Sequence, residues 1–555
     1  MNSSDPTVLG ISMDRTPSRL ATRLLLLAFA FCMPLTCGLA GTAAAQSLDM
    51  SYVLQDIRAL LKKKAGLPLD VRSKADQLEQ YYAENDAQVL WLKPERHNEL
   101  ISILAGLTST GVSNMGAALG RMESRKQALN SEDTSLLALV ELTFSAKFIE
   151  AVNNLRLGQM HLYREKLHRR TLDRFIYTDR VLAQVAGGEP LTTILGRIEP
   201  QQADYQAIRA ALIAYVSTQK KGGWSALRPG PDLKEGATGP RVADLRHRLE
   251  ITGHLAPSNG AAEVFDATVA ESVRRFQRQN NLSQSGVVDR RTLLALNIPV
   301  RDRVAQLTAN LERWRWFEDP PAGEQWVINT NAARLDIRQA DGKQEQIALK
   351  VDNACEQSPA LDSSIELAEV APAFTIPANF AARYVLPVLQ KQPQALDPSL
   401  VLHADTSLSG VQTVDWKSYS ETNFPFSVVQ SPGRSNLLGL FRITLKDDAA
   451  ISIHGRPWPE PKLSIPRNLW PACVAVSGPP EKIQALLQRI GIEVPGSSAE
   501  LTPTQSRRVS VSAPIPVIVL YETVWLDADG SVVFGPDPLG LDADLARKLI
   551  PFPSS

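Results

Sequence analysis

Apolar positions recur at three- and four-residue spacing through the first part of the chain and at two-residue spacing through much of the last. From about 48 to 225 the helical period dominates. Leu136-Leu-Ala-Leu-Val-Glu-Leu-Thr-Phe144 runs on through Phe148 and Val152, and Ala203–Tyr215 resumes the pattern after the break at Pro200, so both predict helices with an apolar stripe. The Gly- and Pro-bearing stretch Lys220–Pro231 reads as a linker. Beyond it, 227–298 predicts three short helices. Val242, Leu245 and Leu249 share one face, and Val269, Val273 and Phe276 share another. A glycine turn at Gly286 then precedes Thr292-Leu-Leu-Ala-Leu-Asn297. A further helix, Arg303–Trp316, falls in a linking segment over 300–324. The period then changes to two. Trp326–Asn331, Arg334–Arg338, Gln346–Val351, Phe441–Leu445, Ala450–Ile453 and Pro516–Tyr521 predict strands, with Asp341-Gly342 as a hairpin turn between the second and third. Helix and turn signals interrupt this pattern at about 380–426, as a capping insertion would. The expectation is a multidomain α+β protein: a helical domain over 48–225, a small three-helix domain over 227–298, a β-rich domain over 325–540, and a tail over 541–555.

Composition narrows the functions. The 555 residues are 44% hydrophobic and 21% charged, which suits packed cores. Lys and Arg balance Asp and Glu at 59 each, and no basic stripe stands out, so nucleic acid is not an expected partner. Neither a phosphate-binding glycine loop nor a cysteine pair at zinc spacing is present, and only seven histidines are available for metal work; the reaction implied by the family resemblance given below needs no metal and no organic cofactor. The first 46 residues read as a targeting segment. Arg15, Arg19 and Arg23 precede the apolar run Leu24–Ala40, and Ala43-Ala44-Ala45 stands before Gln46. Two readings stand: a cleaved signal peptide or a retained signal anchor. Either places the rest of the chain outside the cytoplasm, and a membrane enters only through that anchor.

Two of the four cysteines, Cys32 and Cys37, lie in the targeting segment, leaving Cys355 and Cys473. His454 stands nineteen residues before Cys473. A thiol with an imidazole within reach is the minimum kit for acyl transfer through a thioester. Cys355 reads as an inert packed thiol, although in an exported chain the two cysteines could instead form a disulfide. His161 and His168, among basic residues, read as a solvated face.

Several strings carry a resemblance. Phe276-Gln277, Gly286-Val-Val288 and Thr292–Asn297 resemble the three-helix peptidoglycan-binding domain of wall enzymes. Asn310-Leu-Glu-Arg-Trp-Arg-Trp316, Gln430-Ser-Pro-Gly433 with Asn436 and Gly439, and Pro514-Ile-Pro516 through Trp525, Asp527 and Asp529-Gly530 to Pro536-Asp537 resemble the large periplasmic L,D-transpeptidases of Gram-negative bacteria. The resemblance implies a scaffold domain, a peptidoglycan-binding domain and an L,D-transpeptidase catalytic domain with its cap. It also implies a periplasmic location, peptidoglycan stem peptides as partners, and other wall-synthesis proteins as further candidates. The implied reaction is murein crosslinking: Cys473, with His454 as base, takes the acyl group of a tetrapeptide stem and passes it to a diaminopimelate amine, giving a 3→3 link. Around Cys473 the pattern breaks. The family has Ser or Thr, any residue, Gly, Cys, an aliphatic residue, then Arg; here stand Trp470, Pro471, Ala472, Cys473, Val474 and Ala475. With the arginine gone, Arg456 and Arg467 are candidates to hold a substrate carboxylate, and Trp470 and Asn436 are further candidate substrate-binding residues. Alternatives stay open: a catalytically weak or inactive peptidoglycan-binding paralogue, or a hydrolase using the same thioester.

Overall fold

The computed structural model describes residues 49–549 except 113–114, 161–176, 258–262, 318–322, 340–342, 352–359, 405–413, 434, 447–451, 457–473, 477–479 and 493–505. The targeting segment, His161, His168, Cys355, Arg467, Trp470 and Cys473 lie outside the described residues.

The helical part is built around Thr134–Leu157, started by Asp133, whose carboxylate caps the Ser135 and Leu136 N–H groups. Apolar side chains such as Leu137, Phe144, Phe148 and Val152 are sealed, but so is Glu141. Its carboxylate accepts from Tyr82 Oη (2.7 Å), Leu90 N (2.6 Å) and Trp91 N (2.9 Å). That satisfies a buried acid with one helix's side chain and another segment's backbone.

Three helices, Pro240–Ile251, Ala267–Gln279 and Arg290–Leu296, follow. The expected apolar faces meet in one core of Val242, Leu245, Leu249, Val269, Val273 and Phe276. Gln277 is buried beside them, and its amide donates to Val287 O and Thr292 Oγ1 and accepts from Gly286 N. This ties the Gly-Val-Val turn to the middle helix, so the Phe-Gln pair is architectural.

The Val300–Trp314 helix is the junction of the molecule. Asn310 pairs with Thr523 at both amide ends, Arg313 bonds Asp542 at 2.5 Å, and Glu312 accepts from the Gln159 and Met160 N–H groups. Just past its end, Arg315 donates to Thr110 O, Gly111 O and Tyr205 Oη. Residues expected as a tail instead form a helix, Leu541–Leu549, packed on this junction through Asp542.

Thirteen strands are described, eight of them in a closed barrel. In chain order these eight are β1 (Gln325–Asn329), β2 (Arg334–Arg338), β3 (Gln344–Val351), β4 (Ala360–Val370), β8 (Phe441–Leu445), β9 (Ser452–His454), β10 (Val474–Val476) and β11 (Arg507–Leu520). They close in the order β1-β11-β4-β8-β9-β10-β3-β2. The β1–β11 and β9–β10 pairs are parallel and the rest antiparallel. Every period-two string of the sequence contributes to a barrel strand. Between β4 and β8, the strands β5 (Phe374–Ile376), β6 (Leu400–Ala404) and β7 (Phe426–Gln430) form a separate sheet in the order β5-β7-β6. With a helical stretch over 378–391 they enclose Phe374, Leu386, Trp416, Phe426 and Val428. The insertion thus has its own core and includes the flanking strands. A last hairpin pairs β12 (Val524–Leu526) with β13 (Val532–Phe534).

Candidate active site

His454 ends β9, a strand of only three residues held on both sides. Antiparallel to it, β8 sets Arg442 opposite His454 and Ile443 opposite Ile453. Parallel to it, β10 sets Val474 beside Ile453 and Ala475 beside His454. Ile443, Ile453, Val474 and Val476 all enter the barrel core. Alternation then puts Arg442, His454 and Ala475 together on the outer face. The same row extends on either side: Glu369 of β4 is opposite Arg442, Arg508 of β11 is opposite Glu369, and Lys350 of β3 is opposite Ala475. Arg508 Nε donates to Glu369 at 2.8 Å.

A loop between β7 and β8 backs the end of β9, and two side-chain amides shape it. Gln430 accepts from Leu437 N (2.9 Å) and donates to Ser435 O (3.0 Å). Asn436 donates to Gln430 O and Ser431 O and accepts from Leu438 N. The loop ends at Gly439, whose φ of +63° is the left-handed conformation glycine accepts without strain. A Cβ there would come within 2.7 Å of Gly455 C and Arg456 N, so the two backbones touch where only glycine fits. Gly455 in turn lies against the Phe441 ring and donates its N–H to Phe441 O at 3.0 Å.

The histidine is fully enclosed, and among the described residues neither ring nitrogen has a hydrogen-bond partner. Burial lowers its pKa to about 4 and the Arg442 charge adds to this, with the Gly455 and Leu438 backbone opposing. The imidazole is therefore neutral at neutral pH and has a lone pair to take a proton.

Residues 76–212 match the family described as the scaffold domain, and residues 238–296 match the peptidoglycan binding domain family. The chain thus carries a scaffold domain, a peptidoglycan-binding domain and a β-rich barrel, an organisation that fits the architecture of L,D-transpeptidases. No curated protein matches it. Among solved structures, the L,D-transpeptidase (residues 123–326) of Xylanimonas cellulosilytica is 15% identical over 53% of this chain and 99% of that one, at a TM-score of 0.14. A fused Zn-dependent amidase/peptidase/peptidoglycan-binding domain-containing protein of Clostridium acetobutylicum is 10% identical over 52% of this chain and 100% of that one, at 0.15. Scores this low carry no argument about the site.

Ala475 is the residue that β10 sets beside His454. Arg456 is exposed, two residues past His454. Asn436 is fully buried, and its amide is engaged inside the loop, so it shapes the wall of the site and presents no polar group to a ligand. Sequence reasoning missed Arg442 and the Gln430 clamp. The signal for Arg442 was present: it is the charged position between Phe441 and Ile443 in an alternating strand.

Proposed function

We propose that the protein is a murein L,D-transpeptidase working by cysteine acyl transfer on the periplasmic face of the wall, exported by its N-terminal segment. The observation that carries this reading is the β9–β10 register. Ala475 is paired with His454, and Cys473 directly precedes Val474. Val474 is in turn the partner of Ile453. A catalytic domain from 325 to 540, with the scaffold domain over 48–225 and the peptidoglycan-binding domain over 227–298, is the organisation this reading uses.

In the first half-reaction the Cys473 Sγ attacks the amide carbonyl between diaminopimelate and D-Ala of a tetrapeptide stem. The neutral His454 imidazole takes the thiol proton as the C–S bond forms, then gives it to the departing D-Ala nitrogen. This closes the proton balance and leaves a thioester. In the second half-reaction a diaminopimelate amine of a neighbouring stem attacks the thioester, losing a proton to His454, and the proton returns to the thiolate. A 3→3 crosslink results. Arg456, Arg467 and Trp470 are proposed to line the approach of the stem.

One observation favours a second reading, a peptidoglycan-binding scaffold with little or no turnover: position 475 gives His454 a methyl neighbour instead of a guanidinium. A third reading, hydrolysis, requires only that water resolve the thioester. Incubation with a carbapenem and with tetrapeptide muropeptides, followed by intact mass and product analysis beside Cys473→Ala, separates them. Crosslinking requires an acyl adduct on the parent protein, none on the variant, and dimeric product. D-Ala release without dimer means hydrolysis, and neither adduct nor product rejects the enzyme.

A further inference from the structure

A helix from the helical domain, Ala203–Lys220, covers the outer face of the barrel at β1 and β11. Its Tyr205, Ile208 and Leu212 share a core with Val327 of β1 and with Ile518 and Leu520 of β11. Next to β1, β2 turns Leu335 and Ile337 into the barrel, so alternation puts Arg334, Asp336 and Arg338 on the covered face. Two ion pairs form there. Arg334 bonds Asp336 at 2.8 Å within β2, and Arg338 reaches across to Asp204, in the first turn of the helix, at 2.9 Å.

Glu522, two residues past β11, is sealed into the same joint. Asn329 donates to one of its carboxyl oxygens at 3.3 Å, while the other, Oε1, has no hydrogen-bond partner among the described residues. The charged groups facing it are Asp204 from the helix and Arg338, Arg334 and Asp336 from β2. With Glu522 neutral, two guanidiniums balance two carboxylates. With Glu522 ionised, a third carboxylate competes for the same two cations away from water, where an uncompensated charge is costly. Burial, with the Asp204 charge adding, pushes the Glu522 carboxyl well above the ordinary range against Arg338 and Arg334, so the native joint favours its protonated form. Arg338 is the cation able to respond. Its pair is the one that crosses between domains, whereas Arg334 is also tied to Leu526 O at 3.1 Å.

We propose that Glu522 and the Arg338–Asp204 pair form a proton-dependent latch between the helical domain and the barrel. The neutral carboxyl leaves Arg338 on Asp204; loss of its proton draws Arg338 toward Glu522 and releases the first turn of the helix. The apolar contacts of Tyr205, Ile208 and Leu212 remain, so the helix loosens at its start and stays docked. Because the native state keeps the proton, the contribution of the latch is complete below the ordinary carboxyl value of 4.5 and is lost as pH rises through the native one. The latch holds whether or not Cys473 and His454 turn over a substrate.

Hydrogen exchange of the full-length protein, followed by mass spectrometry and expressed as protection factors at pH 6 and pH 9, tests the latch. Protection over 203–212 should fall by on the order of tenfold across this range, the size of one charge-assisted hydrogen bond, while that of Ala267–Gln279 stays constant. Glu522→Gln preserves the shape of the neutral form and should hold the protection constant. Glu141→Gln removes another acid that ionises in this range, at about 7, and should leave the fall in place. Should Glu522→Gln fail to fold, Asp204→Asn carries the test: with no charged partner to release, protection of the first turn should be low at both pH values. Constant protection in the parent protein, an equal fall over Ala267–Gln279, a fall that persists in Glu522→Gln or Asp204→Asn, or one that vanishes in Glu141→Gln would overturn the proposal.

Discussion

Two buried titratable residues give the protein opposite responses to the same change in pH. His454 ionises at about 4 in the fold, against an ordinary 6.5, because it is sealed beside Arg442. The unfolded chain then binds more protons below 6.5, so this group's stabilisation is complete above 6.5 and is lost as pH falls toward 4. The shift corresponds to about 3 kcal/mol at most. Glu141 is raised from 4.5 to about 7 by burial, with the Leu90, Tyr82 and Trp91 donors opposing. Its native state holds the extra proton, so its contribution is complete below 4.5 and declines as pH rises through 7. Urea unfolding at pH 5 and pH 7.5 separates the two. His454→Phe should flatten the acid loss and raise stability at pH 5, since it removes an imidazole with no partner among the described residues. Glu141→Gln keeps an acceptor and should remove the decline toward neutral pH. Unchanged slopes in either variant would refute the assignment. If His454 is the base, His454→Phe should also abolish adduct formation with a carbapenem, giving a more stable and inactive protein, as expected where a site is strained for function.

At the level of elements, the loop from β7 to β8 governs where His454 sits. Gly439→Ala places a methyl in a left-handed conformation and against the Gly455–Arg456 backbone. Gly530, at φ +76° in the β12–β13 turn, has nothing within 4 Å of its Cβ position. Gly530→Ala should therefore cost about 1 kcal/mol for conformation alone, and Gly439→Ala clearly more, because its methyl also displaces β9. Equal costs from denaturant curves would remove the close approach from the account. The elements themselves were legible because a half-buried strand leaves a period-two trace, as in Arg334–Arg338 and Phe441–Leu445. Their closure was not. The pairs β1–β11 and β9–β10 are parallel and join segments with long connections between them, where no hairpin turn announces the partner. For the same reason the alternation of β8 marked Arg442 as an outward charged position, but that it stands opposite His454 emerged only with the register.

In the whole molecule, the Val300–Trp314 helix and Arg315 bind the helical domain, the barrel and the C-terminal helix through buried polar side chains. Asn310 reaches Thr523, Arg313 reaches Asp542, Glu312 reaches Gln159 and Met160, and Arg315 reaches Thr110, Gly111 and Tyr205. The Asn-Leu-Glu-Arg-Trp-Arg-Trp string thus records an assembly joint rather than a catalytic motif. The three-helix domain has a different attachment to the β12–β13 hairpin: Arg278 bonds Asp529 at 2.8 Å, with both side chains substantially exposed. These joints predict different failures. Arg315→Leu strips a fully buried charge from Glu312 and leaves two carbonyls without a donor. It should lower stability by about 3–5 kcal/mol, as breaking buried pairs does, in a transition that takes the helical domain and barrel together. Arg278→Ala should cost less than about 1 kcal/mol, the usual range for exposed ion pairs, and leave the main transition in place. Calorimetry with a tryptophan-fluorescence readout distinguishes them, because Trp314 and Trp316 are buried at the joint. A main transition unmoved by Arg315→Leu would mean that apolar packing alone holds the domains together. If the transition moves as expected, loosening this joint offers a way to change how the helical domain bears on the barrel without touching His454.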